Sequence, residues 1–127
     1  MSIKFEEHHW LDVTVRGSTA RLCVREPNAH EGVRYAASIE RLRTRLDAHD
    51  ETALEALTAH HCNLLTACIV ASEDWTPAFP AGGTEAERRQ WVERIPFNFV
   101  GTIAGAVALV GYPKTSAESD GATTLGS

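Results

Sequence analysis

Six histidines and three cysteines are the side chains of this 127-residue sequence best suited to metal or nucleophilic chemistry. His8-His9, His60-His61-Cys62 and Cys68 all include acceptable zinc ligands. Spacing argues against the simplest site. His61 and Cys68 share a helical face but lie roughly 10 Å apart along the axis at 1.5 Å per residue, whereas zinc bonds are about 2.0–2.3 Å long. A site joining His8 or His9 to His60 stays open, although a core or interfacial histidine is the commoner outcome and no recognised ligand spacing is present. No base stands at motif distance from Cys23 or Cys62, so both read as inert thiols.

Carboxylates cluster at Asp47, Asp50 and Glu51. Beside a helix N-terminus their charge is explained by capping and by the helix dipole before a general acid is needed. Gly17, Gly32, Gly82 and Gly83 do not assemble into a phosphate-binding fingerprint. Arg34, Arg41 and Arg45 share one helix face, with Glu40 and Asp47 close by. They read as a solvated stripe before a protein or phosphate contact. No catalytic residue, metal or cofactor is assigned, and the protein is expected not to be an enzyme.

The elements that would hold these residues can be read from patterning. A hydrophobic fraction of 43% suffices for one modest core, so residues 1–112 are expected to form a single domain. Net charge is −5, which removes the general attraction to nucleic acid. An odd cysteine count with no close-set pair points to reduced thiols and the cytoplasm. The N-terminus turns acidic before any apolar run and lacks a secretory layout. The longest apolar stretch, Phe97 to Val110, is shorter than the roughly 20 residues of a membrane-crossing helix, so no membrane span is expected.

Leu11, Val13 and Val15, then Ala20, Leu22 and Val24, alternate with polar neighbours around Arg16-Gly17-Ser18. This predicts a β-hairpin with one buried face. Ile3 and Phe5 hint at a further strand before it. Pro27 stops the sheet, and Asn28 with Glu31 supplies a helix cap. Tyr35, Ile39, Leu42 and Leu46 then form the core stripe of a first helix. Asp50 caps a second, with stripe Leu54, Leu57, His61, Leu64, Leu65 and Cys68, expected to run to about Trp75.

A Pro/Gly-rich loop pinned by Trp75 and Phe79 comes next. Thr84-Glu85-Ala86-Glu87 has the form of a capping box, opening a third helix that carries Trp91 and Ile95 inward. Pro96 predicts a kink or a fresh start. A fourth helix to about Val110 places Phe97, Val100, Ile103, Val107 and Val110 on one broad side, with Phe99, Ala104, Ala106 and Leu109 adding apolar surface elsewhere. Either the monomer buries this helix, or part of it forms an oligomer or partner surface. Residues 113–127 are too polar to offset the entropy of ordering and are expected to be a disordered tail. The expected fold is therefore α+β and mostly helical: an N-terminal antiparallel hairpin of two or three strands packed on three to four helices.

The order of these features resembles the tail assembly chaperones of long-tailed bacteriophages and prophages. The matching points are the proline turn Val24-Arg25-Glu26-Pro27, a second helix ending near Trp75, the loop Pro80-Ala81-Gly82-Gly83, the junction Glu93-Arg94-Ile95-Pro96, an apolar last helix and a polar tail. The resemblance covers most of the chain and is one of layout, without a catalytic motif. It implies a non-enzymatic cytoplasmic helper that binds the tape-measure protein and helps recruit tail-tube subunits. Trp91, Phe97, Phe99, Val100 and Ile103 are then the expected apolar contacts, and a homo-oligomer is compatible. The alternative is a small regulatory or immunity-type protein that blocks a host protein through its hairpin edge or acidic surface. A third reading is a small metal-dependent enzyme using His8, His9, His60 and His61.

Overall fold

The computed structural model describes residues 2–110, so the expected polar tail lies outside the described residues. The chain begins with the hairpin, β1 (His8–Val15) and β2 (Ser18–Arg25), in antiparallel register from His8 opposite Arg25 to Val15 opposite Ser18. Its two-residue loop has Arg16 at φ 52° and Gly17 at φ 81°. Positive φ at both positions is the mark of a type I′ turn, whose twist matches that of the strands it joins. Leu11, Val13, Ala20, Leu22 and Val24 share the face that meets the core; Trp10, Asp12, Arg21 and Cys23 share the other.

Helix α1 (Ala29–Asp47) opens on a reciprocal capping box: Asn28 Oδ1 accepts from the Glu31 amide and Glu31 accepts from the Asn28 amide, both at 2.9 Å. The helix closes on a Schellman turn, with His49 at φ 60°, its amide donating to the Leu46 carbonyl, and the Asp50 amide donating to the Arg45 carbonyl. Asp50 then caps α2 (Glu51–Cys68) by accepting from the amides of Thr52 and Ala53. Three residues thus end one helix and start the next. Leu42 is buried with Tyr35, Ile39 and Leu46 partly so, while Arg34, Arg41 and Arg45 are exposed.

Three expectations are corrected. Helix α2 ends at Cys68, seven residues before Trp75, and the chain passes directly into a third strand, β3 (Ile69–Glu73). This strand pairs antiparallel with β2, from Arg21 opposite Glu73 to Val24 opposite Ile69, with a register shift between Cys23 and Val24. The sheet order is β1-β2-β3. Ile69 and Val70 are β-branched residues that suit a strand, and the ladder offered by β2 overrides the helical run before them. The strand suggested by Ile3 and Phe5 is absent from the described residues, and these side chains are 90% and 91% exposed. Leu54 is also exposed, the neighbouring Ala53 being buried in its place.

Helix α3 (Glu85–Val92) has the expected capping box, Thr84 Oγ1 accepting from the Glu87 amide at 3.1 Å and Glu87 accepting from the Thr84 amide at 2.8 Å. Pro96 produces a fresh start: α4 (Phe97–Leu109) leaves at 119° to α3. Helix α2 lies at the centre and touches α1, α3 and α4. Leu22, Val24, Leu65, Cys68, Val92, Ala104 and Val107 form the heart of one continuous core. No single helix among the described residues is long and apolar enough to cross a membrane.

Candidate binding groove

Strand β3 covers only part of β2. Its ladder reaches Arg21, so Ser18, Thr19 and Ala20 at the hairpin tip extend past its end. The chain turns away at Asp74, φ 66°, and Trp75 folds back so that its indole N–H donates to the Arg21 carbonyl at 3.1 Å. The Thr76-Pro77 peptide is cis, and the Pro77 carbonyl accepts from the Trp91 indole at 2.9 Å. Trp91 packs edge-on against both Trp75 and Phe79, with ring centroids 5.4 and 5.2 Å apart. The Phe79 amide donates to Ser72 Oγ at 2.9 Å. The loop is pinned through both its aromatic residues and its backbone.

Between the projecting tip and this anchored loop lies an open groove of about 390 Å³. Val13, Val15 and Ala20 form one wall; Trp75, Pro77 and Trp91 form the floor; Ile95 and Pro96 close the far side at the α3–α4 junction. Arg16, Asp74 and Arg94 line it as well. Its exposed lining is polar and apolar in about equal measure, so apolar side chains and charged groups are both open to a ligand.

The residues expected to contact a partner are divided by the structure. Trp91 faces the groove with one edge but is otherwise buried, and Val100 and Ile103 are core residues. Phe99 packs partly against the core, while Phe97 is 68% exposed. From outside, Phe97 is accessible and Trp91 only where it lines the groove, whereas Val100 and Ile103 are not accessible. The groove lining also takes in Val13, Val15, Ala20, Ile95 and Pro96, which were not among the expected contacts. Alternation had marked the first three as core, and the Ile-Pro junction was the available signal for the last two.

The histidines do not converge. His9 is bonded to Glu26 at 2.5 Å on the hairpin. His61 is buried and shares a 2.9 Å hydrogen bond with the Tyr35 hydroxyl through Nδ1, its Nε2 lying against Gly101. Burial, with His60 adding a smaller effect, pushes the His61 pKa down and favours the neutral ring. Among the described residues no three His, Cys, Asp or Glu side chains are grouped to hold a metal ion. Cys23, Cys62 and Cys68 are free, buried thiols; burial raises all three, Cys68 to about 11. They are protonated at neutral pH and poor nucleophiles. Asp50 serves as a cap and pairs with Arg45 at 3.0 Å, an arrangement that accounts for its lowered pKa.

No family model, no curated protein and no solved structure matches the chain.

Proposed function

We propose that this protein is a non-enzymatic binding protein that holds a segment of another protein in the groove between the β1–β2 tip and the α3–α4 junction. The main support is the groove itself, an open surface floored by two indoles and walled by Val13, Val15 and Ile95. Tryptophan and arginine, both present in its lining, are enriched among the residues that dominate interface energetics. The resemblance in layout to phage tail assembly chaperones supplies the specific version. In that version the partner is the tape-measure protein, whose apolar helical segments are kept soluble while tail-tube subunits are recruited in the cytoplasm. Two experiments bear on it. The gene should lie between a major tail protein gene and a long tape-measure gene, and co-expression should make the tape-measure product soluble. A different gene neighbourhood together with an insoluble product rejects the chaperone reading.

One observation favours a second reading. Strand β1 is an eight-residue edge strand, open on the side away from β2, with Trp10 partly exposed on its outer face. An open edge can add a partner strand. A small regulatory protein that blocks a host target would use this edge. Substituting Thr14 or Asp12 by proline would abolish such binding while leaving a groove ligand bound.

A further inference from the structure

The arginines on this protein are unevenly employed. Arg21 pairs with Asp12 and Glu73, Arg25 with Glu31, Arg43 with Glu40, Arg45 with Asp50 and Arg89 with Glu93. Arg34 is bonded to His30, Arg41 to Ser38 and Arg88 to the Gly83 carbonyl. Among the described residues, only Arg16 and Arg94 make neither an ion pair nor a side-chain hydrogen bond, and both line the groove. Asp74 lines it too but forms an ion pair with neither. In a chain of net charge −5 this leaves a local cationic site over an apolar floor.

We infer that the groove recognises an acidic protein segment, one in which Asp or Glu flanks a Leu, Phe or Trp anchor. The inference rests on the groove being the binding surface proposed above. The two guanidiniums come from different segments, the hairpin turn and the turn between α3 and α4, so they can engage carboxylates on either side of one seated side chain. Arginine suits this role because its planar fork bonds a carboxylate through two parallel N–H donors. A nucleic-acid backbone fits less well, since two cations on an acidic molecule supply little of the phosphate neutralisation on which that binding depends. The volume lies at the small end of ligand pockets, matching an anchor side chain better than a large cofactor.

The test uses a displayed random peptide library selected on the immobilised full chain. The recovered consensus peptide is then titrated by fluorescence anisotropy against wild type and variants whose fold has been checked by circular dichroism. We expect Asp and Glu to be enriched beside the apolar anchor. The double variant Arg16→Gln/Arg94→Gln should bind about tenfold or more weakly, whereas Arg43→Gln on α1 binds as wild type. Raising salt should weaken the wild-type complex and barely affect the double variant. Ala20→Phe, which fills the groove from β2, separates the two claims. Peptides that lose affinity to Ala20→Phe but show no acidic preference would keep the groove and overturn its charge specificity. Peptides indifferent to Ala20→Phe would overturn both. A single-stranded oligonucleotide bound through Arg16 and Arg94 in place of acidic peptides would overturn the inference as well.

Discussion

Trp75 meets Trp91 edge-on, with ring centroids 5.4 Å apart and planes inclined at 66°. One ring belongs to the loop after β3 and the other to α3, and each indole N–H is spent on a backbone carbonyl, Arg21 for Trp75 and Pro77 for Trp91. The pair therefore ties the hairpin, the loop and α3 together at the floor of the groove. Edge-to-face contact of this kind adds about 0.5–1.5 kcal/mol beyond the area buried.

Trp91→Ala should cost about 3–5 kcal/mol, because it opens a cavity in the core and orphans the Pro77 carbonyl. Trp75→Ala removes a half-buried ring and should cost less while damaging the groove more selectively. Urea denaturation of both variants, read by circular dichroism, gives the ranking.

Glu31 carries two duties: it completes the α1 capping box and forms a two-pronged pair with Arg25 at 2.8 and 2.6 Å. The Arg25 hydrogen bonds pull its pKa below the usual carboxylate value. A depressed carboxylate stabilises the fold above its unfolded pKa of about 4.3 and loses that contribution as pH falls further. Glu31→Ala should cost about 2 kcal/mol at neutral pH, and the difference from wild type should shrink in acid. Denaturant titrations at pH 7 and pH 3.5 check both statements.

His61 acts in a higher window and through burial. Its folded pKa is depressed, so the unfolded chain takes up a proton first. Stability is then complete above the unfolded value of about 6.5 and declines as pH drops through and below it. Thermal melts between pH 7.5 and 5.5 should show this decline, and His61→Gln should flatten it. Tyr35→Phe removes the Nδ1 partner and should destabilise at every pH in the range.

The glycines of α4 are not equivalent. A Cβ on Gly101 would come within 3.3 Å of His61 Nε2, whereas one on Gly105 meets nothing within 4 Å. His61 is buried and bonded to Tyr35, so it cannot easily yield. Gly105→Ala should therefore stabilise by up to about 1 kcal/mol through helix propensity, and Gly101→Ala should fall short of that or destabilise. Comparison of the two melting temperatures decides it.

Much of the fold was legible because local signals agreed with tertiary ones. Hairpin alternation, both capping boxes, the Asp50 cap and the break at Pro96 all rest on neighbours within a few residues. Strand β3 was hidden because Leu64, Leu65 and Cys68 continue smoothly into Ile69 and Val70, and only the vacant edge of β2 turns the latter pair into a strand. The groove was hidden for a related reason. Val13 and Val15 carry a core signature, and nothing in the hairpin records that β3 stops at Glu73 and leaves the tip uncovered. The apolar character of α4 was plain, but its rotation about its own axis was not. Val100, Ile103 and Val107 turn inward, while Phe97 and Leu109 remain 68% and 66% exposed.

The three tryptophans provide a direct test of where a ligand sits. Trp75 and Trp91 line the groove, while Trp10 lies on the opposite face of the hairpin against Arg21. Their indole N–H signals can be followed in a two-dimensional nitrogen–proton NMR spectrum of the full chain as a selected peptide is added. A groove-bound ligand shifts the Trp75 and Trp91 signals together and leaves Trp10 in place. A shift at Trp10 with Trp75 and Trp91 unmoved would contradict the account and place binding on the outer face of the sheet.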